Sequence, residues 1–267
     1  MAQKISVLGI NIAKLMCYIV GMDDTGHVVL RKRITRGELL PFIATHPPAL
    51  IGMESCGGAH YWARRFREHG HEVRLVAPPC VKASGKSPKH DTHNAEAICE
   101  AVTRPIMRFV PIRQLEQQDI QALHRVRERL IKARTALVNE IRGLLRAYGI
   151  VLPQRMAKLR TSVVRQLEDE QAKLTPLSTG VFWQLYEACL ALEQRVAYYN
   201  DKLNAMARAH PVCQRVQAIP GIGPLTATAL VAAVPDATHV KNGRQFAAWL
   251  GLVPASTPRA VSLVCWG

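Results

Sequence analysis

The sequence predicts an α/β layer fold over residues 1–111, a long helical coiled-coil arm over 112–210 and a small α-helical domain with a helix-hairpin-helix turn over 211–267. Three observations carry this. The first stretch alternates short apolar runs, turn residues and amphipathic segments. From Arg113 to His210 the apolar side chains recur three and four residues apart, as one face of a long helix requires. The third stretch contains a Pro-Gly-x-Gly-Pro turn between apolar runs.

In order, Ile5 to Lys14 reads as a buried strand that carries one polar side chain, Asn11, out of an apolar run. Met16 to Met22 and His27 to Ile34 flank the turn sequence Asp23-Asp24-Thr25-Gly26, which makes strands one to three an antiparallel meander. Arg36 to Thr45 is a helix stopped by Pro47-Pro48. Ala49 to Glu54 is a second short apolar run ending in a lone carboxylate. Gly57-Gly58 leads into an amphipathic helix, Tyr61 to His69, and Glu72 to Val76 is a strand closed by Pro78-Pro79. Such an alternation places a site at the carboxyl ends of the central strands. Val81 to His90 is a basic loop with Lys82, Lys86 and Lys89, either simply solvated or in contact with phosphate. His90 to Ile98 opens a helix with Asp91 and Asn94 at i and i+3, on one face.

Leu115 to Leu145 is the long amphipathic helix of the arm, with Arg125, Arg129 and Lys132 among the many cations of its polar face. A second helical run, from about Phe182 to His210, pairs with it across the Pro153 to Thr179 connection. Such an arm dimerises through its apolar seam, and a face this basic suits nucleic acid. Val216 to Ala227 matches the helix-hairpin-helix pattern. Gly221 and Gly223 there let backbone N–H groups at a helix N-terminus approach a phosphate, the other reading being a tight turn without ligand. Lys241 and Arg244, on either side of Asn242-Gly243, are further candidate contacts.

Composition narrows the partner. Against 20 Asp and Glu stand 35 Lys and Arg, a formal charge of +15, which suits a polyanion. No apolar run approaches the roughly 18 residues of a membrane span and no cleavable signal opens the chain, so a cytoplasmic location with no membrane partner is expected. The seven cysteines contain no C-x-x-C pair and read as reduced core residues rather than a disulfide frame or zinc site. His69 and His71, flanking a Gly turn, read as residues of a solvated loop, with a metal pair as the lesser alternative.

Asn11, Glu54, Asp91 and Asn94 together have the form of an oxygen-rich site for Mg²⁺, with polar residues at two strand ends and an i, i+3 pair on a later helix. Each alone is also what an ordinary strand end or cap carries. The order and spacing, with the words LGINIAK, GMESCGGAHYWARRF and DTHNAEAICEAV, resemble the RNase H-like (RuvC-like) domain of the DEDD transposases of the Piv/MooV family. The resemblance runs from about Ile5 to Pro254. It implies an Asp, a Glu and two Asp as metal ligands, where this chain has Asn11, Glu54, Asp91 and Asn94, two of them amides. It also implies a Ser nucleophile in the carboxyl-terminal domain. The only positional stand-in is Ser256, because the residues after Pro254 lack the family's Ser-Gly and basic pattern, as a truncation or frameshift would produce.

The resemblance implies a cytoplasmic transposase or site-specific recombinase of a mobile insertion sequence. It would use Mg²⁺, bind DNA and a structured guide RNA, and assemble as a dimer or tetramer, with catalysis impaired in this chain. Two alternatives stand beside it: a metal-dependent junction nuclease attacking with water, and a non-catalytic nucleic-acid-binding remnant, which the two amides and the altered tail favour.

Overall fold

The computed structural model describes residues 4–84, 91–105, 107–153, 156–169, 174–234 and 242–249. The chain divides into two compact units, Met1–Gln114 together with Pro235–Gly267, and Leu115–Val234.

The first unit is built on a six-stranded sheet. Strands β1 (Val7–Ile12), β2 (Met16–Met22) and β3 (Val28–Thr35) are followed by helix α1 (Arg36–Ala44), β4 (Leu50–Glu54), α2 (Ala59–Glu68), β5 (Glu72–Val76), α3 (Pro78–Ser84), α4 (Asp91–Thr103) and β6 (Phe109–Val110). The strand order is β3-β2-β1-β4-β5-β6. β1, β2 and β3 pair antiparallel, as the meander predicts, while β1, β4 and β5 run parallel in the centre. The β2–β3 turn is closed by Asp23, whose Oδ1 accepts from the N–H groups of Thr25 (3.0 Å) and His27 (2.8 Å), with Gly26 at φ +86°.

Because side chains alternate along each strand, the sheet has two different faces. Leu8, Ile10, Ile51, Met53 and Leu75 pack against Leu39, Ile43, Trp62 and Phe66 of α1 and α2. Val7, Val20, Met22 and Val76 pack against Ile98, Cys99 and Val102 of α4. Each such fully buried side chain contributes roughly 1.5–3 kcal/mol. The segment at Val81, expected as loop, is helical through Ser84: Pro78 fits the first turn of a helix, where its missing N–H costs nothing, and so opens α3 as well as closing β5. Residues 85–90, with Lys86 and Lys89, lie outside the described residues.

Two buried histidines are structural, and one of them, His71, is 4% exposed where a solvated loop is expected, because its ring bonds backbone on both sides. His71 Nδ1 accepts from Ala49 N–H at 3.2 Å and its Nε2 lies 3.1 Å from Ile43 O, so Nε2 carries the proton and donates. His60 Nδ1 accepts from Arg113 N–H at 3.2 Å. Burial, then the positive charges of Arg113 and Arg64, push His60 down to about 4 from its ordinary 6.5. Between those two values the unfolded chain takes up a proton that the folded one refuses, so His60 stabilises the fold fully above 6.5 and loses that contribution as pH falls through about 4. We expect His60→Asn, which keeps an acceptor but cannot titrate, to flatten the fall of the urea midpoint across that window. An identical pH dependence in both proteins counts against a neutral His60.

The second unit is helical: α5 (Leu115–Ala147), α6 (Met156–Glu168), α7 (Pro176–Ala209), α8 (Pro211–Gln217) and α9 (Pro224–Ala233). The connection expected between the two long helices itself contains α6, whose Val163 and Leu167 are buried. α5 and α7 run antiparallel. One apolar core joins Val138, Ile141 and Leu145 to Phe182 and Cys189, with α6 closing that end. A second joins Ile120 to Leu203 and Ala207, with α8 and α9 closing the other. Between them Arg127 Nε donates to Asn200 Oδ1 at 2.5 Å. α7 stops at His210 (φ −88°, ψ 117°) because the following Pro211 excludes helical geometry there, and the His210 ring then caps α8 by accepting from Val212 N–H at 3.2 Å. Helix α10 (Gly243–Trp249) is the last described element, and among the described residues no helix is long and apolar enough to cross a membrane.

Candidate functional site

Strand register assembles the site. β1 and β4 pair in parallel up to Ile10 opposite Met53, so the next step brings Asn11 alongside Glu54, about 4.8 Å away, at the carboxyl ends of the two central strands. Asn11 is also the partner of Tyr18 on β2, and Tyr18 of Arg33 on β3. Arg33, Tyr18, Asn11 and Glu54 therefore form one row across the sheet, pointing to the face that α4 covers.

The row two residues earlier holds α4 down. It consists of Arg31, Val20, Gly9, Gly52 and Arg74, each the register partner of the next. Arg31 Nη2 pairs with Glu96 Oε1 at 2.6 Å, Cys99 Sγ donates to Val20 O at 3.4 Å, and Arg74 Nη1 donates to Val102 O at 2.8 Å. A Cβ on Gly9 would stand 2.1 Å from Ala95 O, and one on Gly52 would stand 2.6 Å from Val102 Cγ1. The two glycines thus let the helix lie directly on the backbone of the central strands.

This contact positions the remaining candidates. Asn94, half-buried, immediately precedes the Ala95 whose carbonyl lies over Gly9, two residues before Asn11. Asp91 opens α4, and its side chain lies outside the described residues. Asn11 is 9% exposed and Glu54 half-buried, so both are screened from bulk water at the rim of the apolar core. The donors available from the four residues are amide and carboxylate oxygens, the hard ligands that Mg²⁺ takes. Among the described residues no group of three or more His, Cys, Asp or Glu could hold a metal, and two of the four candidates, Asn11 and Asn94, are amides. The described cysteines are free, Cys99 pushed up to about 12 mainly by burial.

The other candidates lie apart in sequence. Arg125, Arg129 and Lys132 are exposed on α5 at i, i+4 and i+7, along one stripe, and Lys132 pairs with Glu128 at 2.7 Å. Gly221, at φ +88°, needs the left-handed backbone that favours glycine. Gly223 caps α9 in an extended conformation with no atom within 4 Å of where a Cβ would stand. Behind that turn α9 is tied to α5: His124 Nε2 and Thr228 Oγ1 are 3.0 Å apart, and Gln117 Nε2 donates to Val231 O at 3.3 Å. Arg244 is exposed on α10, Lys82 lies on α3 with its side chain outside the description, and Lys241 and Ser256 lie outside the described residues. Sequence reasoning missed Tyr18, Arg33, Gly9 and Gly52. An isolated Gly within an apolar strand is the available signal for the last two; the first two become visible only through register.

Comparison with known proteins adds an independent finding. A family model for DEDD transposases of the IS110 type, described as a transposase, matches residues 8–150, and one described as "Transposase IS116/IS110/IS902 family" matches 213–257. The chain is 44% identical over 253 residues to a "Probable family 20 transposase" of Pseudomonas aeruginosa, covering 94% of this chain and 75% of that protein. It is 40% identical to the transposase for insertion sequence element IS1111A of Coxiella burnetii, covering 94% and 69%. A transposase for insertion sequence element IS1328 of Yersinia enterocolitica is 36% identical, covering 94% and 74%.

Proposed function

The chain belongs to the IS110/IS116 family of DEDD transposases, and from that premise we propose that it acts on DNA through an RNase H-like (RuvC-like) first unit whose Asn11, Glu54, Asp91 and Asn94 hold Mg²⁺. The observation that carries the reading is the register that sets Asn11 beside Glu54 at the ends of two parallel strands, next to the helix opened by Asp91. When bound, the metal polarises a phosphoryl oxygen and offsets charge that builds up on it. Glu54 and Asp91 supply the negative charge of the site, Asn11 and Asn94 neutral oxygens, and the apolar floor of the sheet limits water. Ser256 is the proposed nucleophile, whose Oγ would form a phosphoserine link to the DNA strand as the strand's ribose oxygen leaves. The α5–α7 arm serves assembly into a dimer or tetramer, and its stripe of Arg125, Arg129 and Lys132 serves contact with DNA or a structured guide RNA, as do the Lys82, Lys86 and Lys89 segment and Lys241 with Arg244.

The two amides favour a second reading, a chain that binds nucleic acid and cleaves it weakly or not at all. Incubation with DNA, with and without Mg²⁺, separates them: a covalent protein–DNA adduct supports the recombinase, metal-dependent nicks without adduct a nuclease, and salt-sensitive binding alone the binding protein.

The helix-hairpin-helix reading of Gly221 and Gly223 has its own test. Gly223 has φ −88° and open space around it, so Gly223→Val should fold normally while its branched side chain blocks phosphate from the first N–H groups of α9. We expect DNA affinity to fall roughly threefold to tenfold, the size of one helix-terminus anion contact. Unchanged affinity in the folded variant would make the segment a turn without ligand.

A further inference from the structure

We infer that Arg33, carried on the ring of Tyr18, is a phosphate-positioning residue for the nucleic-acid strand that enters the Asn11–Glu54 end of the same row. The inference deepens the proposed function and rests on it. Arg33 and Asn11 flank Tyr18 in register, so their backbones lie two strand spacings apart, about 10 Å. The Arg33 guanidinium carbon lies over the Tyr18 ring, 5.7 Å from its centroid. The ring thus holds the guanidinium beside the site without neutralising it.

The neighbouring arginine on the same face of β3 shows the contrast. Arg31 is pinned to the Glu96 carboxylate on α4, where its charge is cancelled and its role is structural. Arg33 is exposed, and among the described residues no carboxylate lies within ion-pair distance of it. α4 covers the Arg31 row through Glu96, Cys99 and Val102, whereas in the Arg33 row Tyr18 remains half-buried. A cation on an aromatic shelf beside a strand-end oxygen site matches a nucleic-acid backbone: the guanidinium edge offers paired N–H donors to one phosphate while the next seats over Asn11 and Glu54. Tyr18 acts through Arg33.

The test is fluorescence anisotropy of a labelled mixed-sequence DNA oligonucleotide, single-stranded and duplex, titrated with the full chain over a range of salt. Arg33→Gln should weaken binding roughly tenfold at low salt, as loss of a charge-assisted contact does. It should also lower the slope of log affinity against log salt by about one unit. Tyr18→Leu should reproduce part of that loss, Tyr18→Phe should not, and Tyr18→Leu added to Arg33→Gln should cost nothing more. An unchanged slope in Arg33→Gln overturns the assignment, and equal losses in Tyr18→Phe and Tyr18→Leu overturn the shelf. Failure of the underlying metal reading shows separately, as Asn11→Asp gaining no metal affinity, whatever Arg33→Gln does to the salt slope.

Discussion

Replacing Asn11 and Asn94 by Asp together is expected to raise Mg²⁺ or Mn²⁺ affinity by orders of magnitude, with Asn11→Asp alone recovering the larger share. An amide oxygen can ligate the ion but brings no charge, so the four residues offer a formal charge of about −2 where four carboxylates would offer about −4. At an effective dielectric near 20, a unit charge about 4 Å from the ion is worth on the order of 4 kcal/mol before desolvation is subtracted. Asn11 is held on β1 by its pairing with Tyr18 and is 9% exposed, whereas Asn94 is half-buried on the first turn of a helix, where water can substitute for it. Burial cuts both ways: without metal, a carboxylate at position 11 costs stability, which the ion restores when bound. Calorimetry of the two single variants, the double variant and the starting chain decides the matter. Equal weak binding in all four would mean that these residues do not form one site.

Gly9→Ala should be among the most damaging single-methyl additions in the first unit, lowering stability by about 3 kcal/mol, the upper end of ordinary overpacking. The added carbon would stand 2.1 Å from Ala95 O and 2.6 Å from Cys99 Sγ, and the first of these is backbone that no rotamer change can move. α4 must lift from the sheet, carrying Asp91 and Asn94 away from Asn11. Gly52→Ala meets side-chain atoms instead, Val102 Cγ1 at 2.6 Å and Ile98 Cγ2 at 2.8 Å, so it should cost less and be partly rescued by Val102→Ala. Denaturant midpoints measure the first effect. A Gly9→Ala chain as stable as the parent would show that α4 does not rest on β1.

Much of the first unit was legible because its signals are local. Met16–Met22, Glu72–Val76 and the opening of α4 at Asp91 stand where periodicity and turn residues put them. α3 was not, since Pro78-Pro79 reads equally as the stop of one element and the start of the next. α6 was hidden in a stretch bounded by prolines, and β6 is a two-residue strand defined by its partner β5 rather than by its own composition. For the site, Glu54 is placed where its apolar run stops, and Asn11 is marked as the one polar residue within the first run. That they stand side by side, with Tyr18 and Arg33 continuing the row, depends on pairing between segments some 40 residues apart, and no single stretch of sequence carries that information.

The helical unit keeps its apolar packing at its two ends, one around Phe182 and Leu145, the other around Leu203 and Ile120, with Leu130, Val196 and the Arg127–Asn200 hydrogen bond between them. Stability in such a rod is not shared evenly, and one end can fray while the other stays shut. The waist between the two cores is a natural boundary between cooperative folding blocks. A disturbance at the α6 end is therefore expected to be absorbed by local unfolding there, while α9, tied to α5 by the His124–Thr228 contact at the opposite end, stays in place.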